Sequence, residues 1–427
     1  MKKVLCLIFG FSFLQGCVEP FEAESLAFEN VIVIDARITD EFKRHKVNLK
    51  RAYPFERESF EVERNASVQI NDDLGNTFNF QESTPGNYVS VSEFAAQPNT
   101  GYRLIVTTSD GKSYESETTV TPTSIPIKEV NADIVFNDSG EEGVRISLTN
   151  ETTDIAAKYF RFQYEETYKI VAPYYSPLEF DIIDSIFFGP GDFDSIEIGL
   201  KPRTEEARVC YNTLSSADIA LNDTEGNIDN EITNRPIRFL KSDDFKISHR
   251  YSILIKQFGL TQDAHSYYTN LNDFNSSESV FTETQPGFLE GNIKAVGTDE
   301  LVLGYFEVAA LNQRRYFFSY EDFFPNRDLP PHIINCELSS SPQLIRFAPH
   351  VGPNYVADSG VLISPLLDGI QAGVFAYFEI NEDYETPLND PNDLPSDLEI
   401  GPYFVKATAC VDCRVLGSNV KPNFWID

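Results

Sequence analysis

The chain has 427 residues, of which 41% are apolar, and it contains 34 Phe, 20 Tyr and one Trp. This composition is typical of a folded globular protein and excludes a disordered chain. The formal net charge is −32 at pH 7, which argues against nucleic acid as a partner because Lys and Arg must neutralise its phosphates.

The N-terminus carries the pattern of a bacterial lipoprotein. Lys2 and Lys3 precede an apolar run, Val4 to Phe13, that suits a secretory signal and is too short to cross a bilayer. Leu14-Gln15-Gly16-Cys17 follows, with a small residue before the cut and a thiol that can carry diacylglycerol. We predict a signal peptide over residues 1–16 and lipidation of Cys17; the alternative is an ordinary signal peptide with an incidental cysteine.

Residues 17–30 are predicted to form an acidic tether. Lipidation of Cys17 adds enough acyl chains for stable anchoring without a membrane span. Glu19, Glu22 and Glu24 resemble the export tag that sends lipoproteins of Bacteroidota to the outer face of the outer membrane. We therefore expect a lipid-anchored outer-membrane protein that faces the cell exterior, and the alternative is a tether on the periplasmic side.

Residues 31–121 are predicted to form a β-sandwich of immunoglobulin-like or transthyretin-like type. Short segments with alternating polarity are separated by turn residues such as Asp-Gly and Pro-Gly-Asn. Val31–Ile34 is continuously apolar and indicates a buried strand, and the alternating segments are Ser67–Asn71, Thr77–Gln81, Tyr88–Val91 and Tyr102–Val106. We place the domain boundary at Thr121–Pro126, which contains two prolines and has no apolar period.

Residues 127–427 are predicted to form a larger, mostly β domain. One helix is expected near 262–274, capped by Thr261, because apolar residues recur at three- and four-residue spacing. Residues 174–194 are aromatic, acidic and irregular, which indicates a surface insertion. The apolar stretch Val361–Ile380 is interrupted by polar residues, and we interpret it as two strands about the turn Asp368-Gly369.

Four cysteines remain for structural roles once Cys6 has left with the signal and Cys17 is lipidated. They are Cys210, Cys336, Cys410 and Cys413. An even number in an exported protein favours disulfides, with three connectivities open. Cys410 and Cys413 also form a C-x-x-C motif, but a second motif for zinc and a βαβ setting for redox chemistry are missing.

Motifs of known enzymes are absent from the sequence. It has no H-E-x-x-H, no G-x-S-x-G and no phosphate-binding glycine loop, and its five histidines lack metal-ligand spacing. We predict a non-enzymatic protein without a cofactor; a glycosidase-type carboxylate pair stays open because the chain has 66 acidic residues. The oxygen-rich segments Asn222–Glu231 and Asp390–Asp397 leave Ca²⁺ as an alternative to solvated acidic loops.

Two aromatic segments are candidate partner interfaces, because interface centres favour aromatic residues. Both could instead pack into the core. The candidates are Tyr320, Phe323 and Phe324, which lie beyond the predicted strand at 315–318, and Tyr174, Tyr175, Phe187 and Phe188 in the predicted insertion.

A series of short motifs gives the chain a family resemblance. They are Cys17 with Glu19-Pro20, Ile34–Asp40, Tyr251–Ile253, Gly291–Ile293, Leu303–Phe306, Cys410–Arg414 and Lys421–Trp425. In this order they resemble the Bacteroidota lipoproteins of domain of unknown function 4249, which are often encoded beside SusC-like TonB-dependent transporters. The resemblance implies a partner of an outer-membrane β-barrel protein and brings no catalytic residues.

These features together predict an accessory subunit of a β-barrel complex. A SusC-like transporter is the first expectation for the barrel, and a secretion or outer-membrane assembly barrel is the second. The alternatives are a stand-alone ligand-binding or adhesion lipoprotein and a surface hydrolase.

Overall fold

The computed structural model describes residues 31–52, 61–151, 158–187, 193–225, 231–276, 289–342, 346–349, 360–384 and 401–427. Strands dominate these residues and helices are few, which confirms the predicted mostly β fold. None of the described helices is both long and apolar enough to span a membrane. The predicted signal peptide and tether, including Cys17, lie outside the described residues.

The elements follow one another along the chain as short strands with four helices among the described residues. The strands up to residue 120 are β1 (Ile32–Thr39), β2 (Lys46–Arg51), β3 (Glu61–Val62), β4 (Ser67–Asp72), β5 (Thr77–Thr84), β6 (Asn87–Ser90), β7 (Gly101–Thr107), β8 (Ser113–Ser116) and β9 (Thr119–Val120). Those up to residue 260 are β10 (Ile127–Phe136), β11 (Glu142–Asn150), β12 (Tyr159–Val171), β13 (Leu178–Phe187), β14 (Phe193–Pro202), β15 (Val209–Ser215), β16 (Ala220–Asp223), β17 (Arg235–Lys241) and β18 (Arg250–Leu260). The remaining elements are α1 (Gln262–Ser276), β19 (Ile293–Ala295), β20 (Val302–Ser319), α2 (Tyr320–Phe323), β21 (Ser339–Ser340), β22 (Arg346–Pro349), β23 (Gly360–Ile363), α3 (Pro365–Gln371), β24 (Phe375–Ile380), β25 (Tyr403–Ala407) and α4 (Thr408–Val411).

The largest sheet has the order β15-β12-β18-β20-β1-β2-β6-β5-β4-β7-β8-β19. Its part from β20 to β19 surrounds one apolar core, to which β1 contributes Ile32, Ile34, Ala36 and Ile38. These side chains point inward because successive residues of a strand alternate between its two faces. The sheet therefore curls around this core until β19 lies beside β20.

A second core lies between two sheets. Strands β12, β18 and the end of β20 form one layer, and the three-stranded sheet β10-β11-β17 forms the other. Phe160 and Ile253 of the first layer pack with Ile146 and Leu240 of the second. This arrangement is a β-sandwich.

Strand β20 connects the two cores. Its first half pairs in parallel with β1, and its second half pairs with β18. Val302, Phe306 and Val308 contribute to the first core, whereas Phe318 contributes to the second. The division at Thr121–Pro126 treats 31–121 and 127–427 as separate domains, but residues 293–308 of the latter complete the core of the former.

Helix α1 was predicted correctly, and two other segments differ from the prediction. The N–H of Ala264 donates to the hydroxyl of Thr261, so this residue caps the helix as expected. In the described part of the segment 174–194, residues 178–187 form β13 and residues 193–194 begin β14, which pairs with it, so this part is regular strand. Asp368-Gly369 lies in helix α3 and not in a turn, because Ser364 caps the helix and Pro365 occupies its first turn.

Candidate functional site

The outward face of β1 carries polar residues where the two halves of the large sheet meet. Asp35, Arg37 and Thr39 alternate with the inward core residues of the same strand. In the parallel register Arg37 lies beside Glu307 of β20. The strand pattern thus brings a cation and an anion to the same face of the sheet.

Glu307 is the centre of a buried ion cluster. Its side chain is 1% exposed, and its Oε1 lies 2.8 Å from Arg37 Nε and 2.8 Å from Arg161 Nη2. Burial alone would raise the pKa of Glu307, but the two guanidinium groups outweigh it and hold the pKa below its usual value. Two guanidinium groups thus share one carboxylate, which leaves one positive charge uncompensated by that carboxylate.

Helix α1 covers one side of this cluster. The Arg161 guanidinium lies 4.3 Å from the ring centroid of Phe258 and 5.1 Å from that of Tyr268 on α1. Arg37 Nη2 donates to the Tyr268 hydroxyl over 3.5 Å. Ala264 and Tyr268 pack on Tyr305 and other residues of the same face, so the helix shields the cluster from water on this side.

A tight backbone contact places β19, β20 and β1 next to the cluster. Gly304 has a φ of +107°, and a Cβ there would lie 2.0 Å from the carbonyl oxygen of Ile34. The side-chain amide of Asn292 donates to Phe306 O over 2.9 Å and accepts from Phe306 N over 2.8 Å. These contacts fix the position of Glu307, the residue that follows Phe306.

An open cleft of about 470 Å³ begins beside Arg37. Alternate residues of β20 show where the cleft lies. Ala309 packs with residues of α1, and Leu311 and Gln313 line the cleft. Arg315 is covered by the ring of Phe424 in the C-terminal tail. The cleft therefore occupies the part of the outer face between the helix and the tail. Its lining residues are Asp35, Arg37, Thr39, Glu41, Lys43, Arg44, His45, Lys46, Asn48, Gln163, Lys256, Phe258, Leu311 and Gln313.

The cleft is positively charged although the whole chain is strongly acidic. Five of the lining side chains are Lys or Arg and two are Asp or Glu, a local charge of +3. His45 is mainly neutral near pH 7, because burial lowers its pKa below the usual value and outweighs the opposing effect of the 2.9 Å contact between its Nε2 and Phe94 O. The sign of this surface is thus opposite to that of the molecule.

A second cleft on α1 has the opposite character. Its volume is about 510 Å³, and its charged lining residues are Glu117, Asp263, Glu290 and Lys294. This cleft follows the overall acidic composition. Positive charge is therefore a property of the first cleft and not of every concave surface that the structure describes.

The chain matches the model of one protein family. The model of the domain of unknown function DUF4249 matches residues 18–315. The chain belongs to the DUF4249 family. No curated protein matches it. All residues that line the positive cleft fall within the DUF4249 match.

The residues beyond the DUF4249 match are connected by disulfides. Cys413, which lies beyond the match, bonds Cys210 of β15 inside it. Cys336 and Cys410, which both lie beyond the match, bond each other. This confirms the predicted disulfides. Cys410 and Cys413 therefore have different partners, and the C-x-x-C motif is not a redox pair.

The described residues contain one group with metal-ligand geometry, His332 with Cys336 and Cys410. Both sulfurs of this group belong to the disulfide, so they are not free thiolates for zinc. The two segments considered for Ca²⁺ fall largely outside the described residues. Of the described part, Glu225 accepts a hydrogen bond from the Tyr159 hydroxyl over 2.6 Å.

The prediction that Tyr320, Phe323 and Phe324 form an exposed anchor is wrong. Tyr320 is 5% and Phe324 is 1% exposed, both in the second core, and Phe323 packs against that core. Ser319 caps the one-turn helix α2, which turns the chain back toward the sheet. The alternative of core packing applies to these residues.

Tyr174 and Tyr175, in contrast, are exposed beside the second disulfide. The N–H of Tyr174 donates to Cys410 O over 3.0 Å, and Lys406 Nζ lies 3.7 Å from the Tyr174 ring centroid. Lys406 also donates to Cys336 O over 2.9 Å. Phe188 lies outside the described residues, and the side chain of Phe187 is among those not described.

The exposed apolar residues near this disulfide form what we call the docking surface. It consists of Tyr174, Tyr175, Ile333, Ile334 and Leu338, all of which are exposed. The cysteine of the segment that carries the last three residues is bonded to Cys410. Five exposed apolar or aromatic residues are thus attached to one covalently fixed frame.

Sequence reasoning missed the positive cleft. The signal was the run Lys43-Arg44-His45-Lys46, a cluster of bases in a chain with twice as many acids as bases. Arg161, Lys256 and Glu307 gave no signal, because isolated charged residues in strands are common and only the fold brings these together.

Proposed function

We propose that this protein is a non-enzymatic, lipid-anchored lipoprotein of the outer membrane that acts as an accessory subunit of a β-barrel complex. The lipid on Cys17 tethers it with its body toward the cell exterior. The first candidate partner is a SusC-like TonB-dependent transporter. A secretion or outer-membrane assembly barrel is the second candidate.

The docking surface carries the proposal. Tyr175 is 48% exposed and Ile333 is 61% exposed, and each lies within three residues of a residue bonded to Cys410. Clustered exposed apolar and aromatic residues are typical of protein interfaces. The disulfide frame supports the same role, because a rigid surface loses little conformational entropy when a partner binds.

Binding rather than catalysis is supported by the state of two buried carboxylates, Glu166 and Glu307. Glu166 lies 3.1 Å from Arg238 Nε and accepts a hydrogen bond from the Tyr251 hydroxyl over 2.7 Å. Burial would raise the pKa of Glu166, but these partners and Lys246 hold it below its usual value. A carboxylate with a lowered pKa is a poor general acid near pH 7, and Glu307 is in the same state.

The test is recovery of the barrel with the tagged lipoprotein. The full lipidated chain is purified from membranes in mild detergent, and wild type should bring down a β-barrel protein in stoichiometric amount. Ile333→Asp should reduce this recovery about tenfold or more, because a charge placed in an apolar interface is strongly disfavoured.

Phe136→Asp is the matched control. Phe136 is an exposed apolar residue of β10 in the other sheet layer and should tolerate the change without loss of the partner. Wild-type lipoprotein recovered alone would contradict the proposal and favour the stand-alone ligand-binding or adhesion protein. Equal reductions in barrel recovery for Ile333→Asp and Phe136→Asp would show that the docking surface does not bind the barrel.

A further inference from the structure

We propose that the positive cleft is a binding site for small molecules that carry two or more anionic groups, carboxylate or phosphate. This deepens the proposed function by naming the chemistry of what the subunit would capture. Only the ligand's role as cargo rests on the proposed function. Binding of the ligand to the cleft does not require a β-barrel partner.

The first argument is the local reversal of charge. A chain of net charge −32 has about two acids for each base, whereas the cleft has five basic and two acidic lining residues. Mobile anions are repelled by the rest of the surface and are attracted to this cleft, where the low-dielectric walls concentrate the field. The cleft therefore selects for negative ligands.

The second argument is an unfavourable pairing in the sheet. Arg37 of β1 lies directly opposite Lys46 of β2 in the antiparallel register. Like charges at such positions repel one another. Glu307 relieves this only in part, because it also neutralises Arg161. An anion between Arg37 and Lys46 would remove the repulsion.

Two cations at the cleft, Lys46 and the neighbouring Arg44, have no ion-pair partner among the described residues. Arg44 and Lys46 are exposed and make no salt bridge there, whereas Lys43 is paired with Glu41 and Lys256 lies 3.7 Å from Glu165. Side chains that already neutralise each other attract a ligand weakly. Arg44 and Lys46 are thus the groups that a ligand anion meets first.

The class of ligand follows from the volume and the donors. About 470 Å³ is within the range of small-molecule sites. Arg37 enters from β1, Lys46 from β2 and Lys256 from β18, so that a ligand with acids at separate positions contacts several of them. Arg and Lys both bind carboxylates and phosphates, and the side-chain amides of Asn48, Gln163 and Gln313 add hydrogen-bonding groups for a polar scaffold.

The test uses the full chain in uncharged detergent, without any barrel protein, with citrate and pyrophosphate as probes. Isothermal titration at low ionic strength should give saturable binding of at least one probe, and binding should weaken as salt is added because the contacts are ionic. Neutral glucose should give no heat. Vesicles with and without phosphorylated lipid form a second arm.

The deciding comparison is between two lysines. Lys46→Glu should weaken binding about tenfold or more. Lys128→Glu makes the same change in net charge at an exposed position of β10 that does not line the cleft, and it should leave affinity nearly unchanged. Circular dichroism checks that both variants are folded.

Each outcome decides the proposal. Binding of a soluble probe that Lys46→Glu selectively weakens supports it, and selective binding to phosphorylated vesicles supports it with a lipid headgroup as the source. Absence of binding to every probe, or equal losses in the two variants, would overturn it. Neither result depends on barrel recovery, so the accessory role and the ligand class fail separately.

Discussion

Glu307 is the residue on which the buried cluster depends. Its carboxylate pairs with Arg37 and Arg161 at once, and the side chain of Arg161 is only 2% exposed. An uncompensated buried charge costs more than the pair contributes when intact. The net stabilisation by the cluster is thus smaller than the penalty for breaking it.

We expect Glu307→Gln to lower the free energy of unfolding by about 3 kcal/mol, because both guanidinium groups lose their counterion. Urea denaturation of the full chain measures this. Glu117→Gln is the control, since Glu117 and its partner Lys294 are both mostly exposed and such pairs stabilise little. Equal effects of the two changes would refute the special role of Glu307.

The pH dependence of that difference has a definite sign. The folded-state pKa of Glu307 is lower than its usual value, so its contribution is fully present above the ordinary glutamate pKa of about 4.3. It is lost as pH falls through the folded-state pKa. The gap between wild type and Glu307→Gln should therefore narrow only in acid.

At this scale the sequence predicted the disulfide-bonded state of the cysteines and little of the cleft. Arg161 and Glu307 are far apart along the chain, and their pairing depends on β12, β18 and β20 lying side by side. Local patterns report the face on which a residue lies. They do not report which distant residue shares that face.

Among the elements, β20 does the most to position the site. Its first half pairs with β1, and its Gly304 lies against the backbone of Ile34. A residue with a Cβ at this point meets two difficulties, the positive φ and the neighbouring carbonyl group. The backbone here tolerates only glycine without movement.

Gly304→Ala should lower the free energy of unfolding by about 2–4 kcal/mol, since it combines backbone strain with a steric clash. Gly297→Ala is the matched control: its φ is +77°, but a Cβ there has nothing within 4 Å. We expect it to cost about 1 kcal/mol from strain alone. If the two variants unfold at similar urea concentrations, the close contact at Gly304 does not contribute to the loss of stability.

The elements also show where sequence reasoning succeeds and fails. Strand alternation and the apolar face of α1 were readable because one side of each element packs on a core. The hairpin β13–β14 was not predicted, because Gly189-Pro190-Gly191 and the acidic, aromatic composition of this segment indicate a surface loop. At α3 the Asp368-Gly369 pair predicts a turn, but Ser364 caps a helix that begins at Pro365 and includes both residues.

For the whole molecule, the mature chain without residues 1–16 would carry 32 basic and 66 acidic residues, a net charge of −34. An anionic membrane surface repels such a body. A lipid on Cys17 would overcome that repulsion, while the docking surface would supply a protein contact. The two attachments are distinct in sequence and can be removed one at a time.

We expect Cys17→Ala to move the protein from the membrane fraction to the soluble fraction, and completely so when combined with Ile333→Asp. Cell fractionation with immunodetection measures the change. Cys6→Ala is the matched control, because Cys6 lies in the predicted signal peptide and would be removed with it, so this variant should stay membrane-bound. A double variant that remains membrane-bound would contradict both the lipid anchor and the docking surface. Release of Cys17→Ala alone would show that the lipid contributes more to retention than the protein contact does.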